Sequence, residues 1–199
     1  MISAVVLAAG SSTRMGRPKL LLPLAGKPVV QHAVDTALGS SVGEVVIVLG
    51  PDPDAVRDAL RPDDRLRFAV NERSPEGQST SLGAGLDAVD PRAEAAVILL
   101  ADQPCLSGSA LDAVLQAGSG PLPPGVAAVQ ASYGGRPAHP TLFLRTVWGE
   151  VVEEGDHGAR NWIRAHPERR MLVEVGGEPP EDLDTPHDYE RVRARLEGR

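Results

Sequence analysis

Six short, mainly apolar runs punctuate the chain: Ala4–Ala8, Val45–Leu49, Leu66–Val70, Ala95–Leu100, Val126–Gln130 and Met171–Val175. Continuous rather than alternating apolar residues are the pattern of strands buried on both faces of a parallel sheet. Segments with helical spacing lie between them. Pro28 opens one over Val29–Leu38, Asp52 or Asp54 caps Ala55–Leu60, Ser79 opens Leu82–Val89, Ser107 opens Ala110–Ala117, and Thr185 with Pro186 opens His187–Leu196. Strands alternating with helices predict an open, doubly wound α/β sheet, mostly parallel, with helices on both faces. The Gly- and Pro-rich interval Gly118–Gly125 reads as a surface crossing, because another strand-like run follows it. Residues 1–199 therefore read as a single domain.

Composition narrows the function more than the fold. A chain of 199 residues, 42% of them hydrophobic, is long enough for a sizeable core. A net charge of −7 argues against a broad surface for nucleic acid, so an anionic ligand has to be met by a local cationic pocket. The single cysteine, Cys105, permits no internal disulfide, suits a reducing interior and reads as a small buried hydrophobe with no adjacent activating residue. Met1 leads straight into Ile2–Val5 without a leader pattern. The apolar runs fall far short of the about 20 residues that cross a bilayer. The expectation is a cytoplasmic protein with no membrane partner.

The stretch VVLAAGSSTRMGRPK, Val5 to Lys19, supplies such a cationic pocket at the carboxyl end of the first strand, where open α/β sheets bind ligands. Gly10 lets backbone approach a ligand, and the N–H groups after it can form an anion nest. Arg14 adds a forked donor and Lys19, taken as an exposed loop lysine, a compact charge; a solvated basic loop is the plain alternative. No Walker loop is present, and the G-x-G-x-x-A at Gly83, Gly85 and Ala88 lies inside a helical pattern, where glycines serve close packing. In NERSPEGQSTSL, Asn71 to Leu82, Asn71 offers a donor and an acceptor to a base edge. Gly77 permits close approach, and Ser79 and Ser81 bond a ligand or cap the helix. Asn71 is otherwise a turn residue and Ser79 merely the N-cap. Asp102 ends the most strand-like run, a fitting place for a carboxylate that holds Mg2+.

LAAGSSTRMGRPKL, Leu7 to Leu20, resembles the L-A-A-G-x-S-x-R-M-G-x-x-K pattern of the MobA-like nucleotidyltransferases, and within them the molybdenum cofactor cytidylyltransferase branch. Four later stretches resemble the same family in the same order. The resemblance implies a Rossmann-like fold and a loop of Leu7, Ala8, Ala9, Gly10, Ser12, Arg14 and Lys19 around a nucleoside triphosphate. Arg14 would hold the outer phosphates and Lys19 the α-phosphate, as the catalytic pair. It implies that Asn71, Gly77, Ser79 and Ser81 line the base. Asp102 of L-x-D-Q-P would bind Mg2+, completed from EDLDTPHDY by Asp184, with Asp182 second; Asp184 is otherwise a helix cap. Tyr133–Phe143 (YGGRPAHPTLF) and Gly155–Arg160 (GDHGAR) would meet the acceptor through His139 and Arg160. A structural histidine and a solvated arginine are the plain alternatives. Ala138 departs from a usual glycine; that limits φ > 0 and puts the acceptor preference in doubt.

The activity implied is Mg2+-dependent transfer of a nucleoside monophosphate from CTP to molybdopterin with release of pyrophosphate. The same chemistry with GTP or a sugar phosphate is one alternative. A non-catalytic chaperone that hands cofactor to a molybdoenzyme apoprotein is another.

Overall fold

The computed structural model describes residues 1–10, 15–153 and 159–198. Its strands are β1 (Ile2–Ala8), a small hairpin of β2 (Pro23–Leu24) and β3 (Lys27–Pro28), β4 (Val45–Leu49), β5 (Leu66–Val70), β6 (Ala95–Leu100), β7 (Ala128–Tyr133), β8 (Arg136–Leu144) and β9 (Arg170–Glu174). The helices are α1 (Val29–Leu38), α2 (Asp54–Asp58), α3 (Gln78–Asp87), α4 (Gly108–Ser119), α5 (Trp148–Glu153), α6 (Ala159–Ala165) and α7 (Pro186–Glu197). Seven strands form one sheet in the order β5-β4-β1-β6-β8-β7-β9. All neighbours pair in parallel except those of β8, which runs against both β6 and β7.

The contiguous apolar runs of the central strands have the meaning predicted for them; β5 and β9 do not, because they are the two edge strands and leave Phe68, Val70 and Leu172 exposed. Along β1, Ala4, Val6 and Ala8 enter one core with α1, α4 and α7, while Val5 enters the opposite core with α3, α5 and α6. In β4, Val45, Ile47 and Leu49 divide from Val46 and Val48 in the same way. Each central strand is buried on both faces because the side-chain period is two and helices cover both sides.

The sequence pattern missed β8 and α5. Pro137 and Pro140 argue against a strand, since proline cannot donate to a ladder, yet RPAHPTLFL lies inside the sheet and its His139–Pro140 bond is cis. Trp162 anchors the short α6: it is fully buried and meets Phe143 of β8 edge-on at 5.7 Å. Ser79 does not start α3. The helix begins at Gln78, one residue earlier, and the residue before it is Gly77 with φ 139°, a conformation that a residue with a side chain seldom adopts.

Gly83 and Gly85 do serve packing. A Cβ on Gly85 would fall 2.5 Å from Val5 Cγ1 and 2.8 Å from Val48 Cγ2, so the bare backbone lets α3 lie close on β1 and β4. Gly85→Ala is therefore expected to lower stability by about 1–3 kcal/mol through overpacking, against the better helix propensity of alanine. Urea unfolding checks this; an unchanged or raised midpoint would show that α3 does not press on these strands.

Candidate functional site

The chain runs from β1 outward to β4 and β5, then returns to place β6 on the other side of β1. The carboxyl ends of β1 and β6 thus flank the crevice where the strand order reverses. The Ala101 amide donates to Leu7 O at 3.0 Å, which draws the two strand ends together. One end continues through Ala8, Ala9 and Gly10 toward Lys19; the other delivers Asp102. Ser12 and Arg14, like Gly155 and Asp156, lie outside the described residues.

Lys19 opens a single 3-10 turn, Lys19–Leu21, and is 8% exposed. It is not the exposed loop lysine that a basic loop suggested. Its ammonium donates to Asp102 Oδ2 at 2.6 Å and to Asp184 Oδ1 at 3.0 Å. Asp184 arrives there by simple alternation. In Asp182-Leu183-Asp184, Leu183 is fully buried in the core and its amide donates to Asp102 O at 3.0 Å. Residues on either side of a buried position in extended chain face the opposite way, so both aspartates face the crevice. The helix cap, the plain alternative for Asp184, belongs instead to Thr185, which forms a reciprocal capping box with Asp188.

Burial alone would depress the Lys19 pKa, but the charges and hydrogen bonds of Asp102 and Asp184 outweigh it and raise it above the ordinary 10.5. Asp182 is raised, first by desolvation and then by the charges of Asp102 and Asp184, while its bond from Gln103 Nε2 at 2.7 Å works against the rise. Among the described residues no cluster of three or more His, Cys, Asp or Glu side chains is disposed to hold a metal. The Asp102–Asp184 pair does fit a hard divalent ion that completes its shell with water and phosphate oxygens: its two carboxylates already share one cation.

Asn71, expected at a base edge, is spent on its own segment. Its Nδ2 donates to Thr80 Oγ1 and Ser81 Oγ, both at 2.9 Å, and its Oδ1 accepts from the Arg73 amide at 3.0 Å. Asn71 and Ser81 are both buried, Ser79 and Gly77 half-buried. They shape the bend into α3.

A cleft of about 450 Å3 adjoins the triad. His139 and Arg160, the residues assigned to the acceptor, line it together with Leu7, which was assigned to the nucleotide loop. His139 Nδ1 lies 3.3 Å from Ile98 O. Only an N–H can satisfy a carbonyl, so Nδ1 is the donor and Nε2 is left as an acceptor. Burial lowers the His139 pKa, against the opposing Ile98 bond and the charges of Asp182 and Asp102. Arg164 and Arg170 also line the cleft. The i, i+4 spacing of Arg160 and Arg164 was legible as a shared helix face; Arg170, Gln130 and Thr141 carried no comparable signal. Ala138 does not occupy the strained conformation its departure from glycine suggested. It lies within β8 opposite Ala131, and among the described residues Ala25 is the one non-glycine with positive φ. Its methyl group acts by lining the cleft. Arg195 of α7 lies beside Cys105, a neighbour that local sequence did not place.

The family described as MobA-like NTP transferase domain matches residues 4–170. A nicotine blue oxidoreductase of Paenarthrobacter nicotinovorans is 34% identical over 205 residues, covering 96% of both proteins. The purine catabolism protein PucB of Bacillus subtilis (strain 168) is 33% identical over 202 residues, again covering 96% of both. Among solved structures, Rv0371c from Mycobacterium tuberculosis H37Rv superposes with a TM-score of 0.82 at 34% identity over 96% of each chain. A structure of Rv0371c in complex with manganese is similar at a TM-score of 0.79 and 31% identity, covering 96% of this chain and 97% of that one.

Because its folded pKa is raised, Lys19 stabilises the site fully at neutral pH, below the ordinary lysine value, and that contribution is lost as pH climbs through the raised one. Lys19→Ala leaves two facing carboxylates without their shared cation and is expected to cost about 1–3 kcal/mol at neutral pH, less than a fully buried pair because Asp184 is partly exposed. Mg2+ or Mn2+ is expected to raise the melting temperature of Lys19→Ala more than that of the parent protein, since the ion need not displace an ammonium. Equal shifts in thermal denaturation would place the metal elsewhere.

Proposed function

The chain belongs to the MobA-like NTP transferase family, and from that membership we propose that it transfers CMP from CTP to the phosphate of molybdopterin and releases pyrophosphate, with Mg2+ as cofactor. The general type, a nucleotidyltransferase, follows from the family. The observation that carries the transfer chemistry is the meeting of Lys19, Asp102 and Asp184, three groups from distant parts of the chain, at the crevice between β1 and β6.

A phosphate oxygen of the acceptor attacks the α-phosphorus, the bond to the bridging oxygen breaks, and pyrophosphate leaves. Little covalent work falls to the protein, so positioning and charge compensation dominate. Lys19, whose pKa the neighbouring Asp102 and Asp184 raise, carries a proton at neutral pH and supplies its charge to the α-phosphate oxygens as negative charge gathers there. Arg14 is proposed for the outer phosphates. Asp102 and Asp184 would hold the Mg2+, which when bound neutralises phosphate charge and supports departure of pyrophosphate. On the acceptor side Arg160 and Arg164 give the cleft a cationic rim in an otherwise acidic protein, the local pocket that the net charge demanded. Oxidoreductase chemistry, named for one relative, draws no support from the glycines of α3, since Gly85 is committed to packing on β1 and β4.

The test is pyrophosphate release in a mixture of the protein, Mg2+, molybdopterin and each of CTP, GTP, ATP and UTP, with CTP expected to lead. Silence with every donor would leave the chaperone reading, and release with a sugar phosphate but not molybdopterin would replace the acceptor. Asp102→Asn is expected to reduce Mg2+-dependent turnover at least about a hundredfold while retaining some triphosphate binding, because the amide keeps the size but loses the charge. Normal turnover of this variant at low Mg2+ would remove Asp102 from the metal site.

A further inference from the structure

Four buried side-chain polar atoms lack a hydrogen-bond partner among the described residues: Glu44 Oε2, Gln103 Oε1, Thr141 Oγ1 and Arg170 Nε. Glu44 Oε2 is ion-paired to Arg67 Nε at 2.9 Å. The other three residues all line the cleft beside the Lys19 triad. Thr141 is 1% and Gln103 5% exposed, so water in bulk does not satisfy them. A buried polar group left unpaired costs about 1–3 kcal/mol. Three at one place are a site that is complete only when something polar fills it.

The neighbouring bonds fix which role remains for each group. Gln103 uses its Nε2 on Asp182 Oδ1, so its free atom is the acceptor Oε1. Arg170 spends Nη1 on Gln130 Oε1 at 3.0 Å, which leaves Nε–H as a donor. Thr141 offers either role, and His139 Nε2 adds an acceptor by the tautomer its carbonyl bond selects. Thr141 stands in β8 opposite Ile98 and Gln130, and the register slips between Gln130 and Ala131 beside it. Such a bulge re-aims side chains near a site. The walls between these polar groups are apolar: Leu7, Leu82, Ile98 and Ile163. A cleft of about 450 Å3 is an ordinary size for a small molecule.

We propose that this cleft holds an uncharged, flat heterocycle whose edge carries both an N–H and a carbonyl oxygen, and that Thr141, with Gln103 and Arg170, selects it. The inference rests on the transferase reading for the two molecules that can bring such a ring, the acceptor and the nucleoside triphosphate. His139 and Arg160 on the wall favour the acceptor.

Calorimetric titration of the metal-free protein with free pterin in one arm and with cytidine in the other tests this. Thr141→Val keeps the shape and removes the hydroxyl; Thr141→Ser keeps the hydroxyl. The expected result is pterin binding that weakens about tenfold in Thr141→Val and survives in Thr141→Ser. The free Thr141→Val protein is expected to melt at the same or a higher temperature, because it no longer buries an unpaired hydroxyl. Cytidine showing that dependence instead supports the same chemistry and assigns the ring to the donor. Binding of neither probe, binding indifferent to Thr141→Val, or a clear loss of stability in the free variant overturns the proposal. Pyrophosphate release by the parent protein is read separately. If it persists while the probes ignore Thr141, this inference alone fails; if it is absent while the probes sense Thr141, the transferase reading fails and the cleft stands.

Discussion

Two carboxylates that face each other across a crevice need a cation, and the site is built around meeting that need. Asp102 is delivered by the carboxyl end of a fully buried strand, and Asp184 by an extended segment whose middle residue, Leu183, is locked into the core and bonded to Asp102 O. The buried Leu183 and its amide bond to Asp102 O fix the two main-chain segments that carry them. Lys19 resolves the repulsion with one ammonium shared between them. The protein carries excess negative charge, so this is a local solution: the lysine is buried and its hydrogen bonds are charge-assisted, which makes it much stronger than an exposed ion pair.

The segment that carries Lys19 is fastened from the far end of the chain. Tyr189 of α7 donates its hydroxyl hydrogen to Pro23 O, and the Ala25 amide donates to Glu197 Oε1 at 3.0 Å. These bonds join α7 to the β2–β3 hairpin, which follows Lys19 by a few residues. The Thr185–Asp188 capping box fixes the start of α7 directly after Asp184. Lys19 and Asp184 are therefore held by the same two elements, one on each side, and the capping residue spares Asp184 for the crevice. A rigid frame around flexible charged side chains is what a site that works by positioning requires.

How much of this was legible in the sequence depended on how local the cause was. The runs Val45–Leu49 and Ala95–Leu100 and the helix Val29–Leu38 match the structure end to end, because burial on both faces and helical spacing are written in consecutive residues. β8 was hidden by Pro137 and Pro140, whose local preference loses to pairing with β6 on one side and β7 on the other. The residues Lys19, Asp102 and Asp184 could be named from motif and strand-end position. That Lys19 is buried, and that it bridges both aspartates, is a property of three segments meeting, which spacing along the chain does not encode. Asn71 shows a demand that spacing did not reveal: closing the bend into α3 uses both hydrogens of its side-chain amide.

The two halves of the site handle their polar groups in opposite ways, and that difference has a physical consequence. On the triad side, Lys19, Asp102 and Asp184 satisfy one another, so a ligand arriving there has to compete with existing bonds and is favoured only if it brings comparable charge, as a triphosphate with a divalent ion does. On the cleft side, Gln103 Oε1, Thr141 Oγ1 and Arg170 Nε have no hydrogen bond to give up among the described residues. A ligand there gains each hydrogen bond without breaking another, and a ligand lacking one matching group leaves a buried atom unpaired, a penalty of about 1–3 kcal/mol that falls on the wrong molecule alone. Saturated charge suits a step common to many donors; unsatisfied, geometrically fixed dipoles suit discrimination. The division of labour between chemistry and selectivity therefore follows from which polar atoms the fold has already paired, with Gln103 next to Asp102 in sequence and Asp182 two residues from Asp184 marking where one half passes into the other.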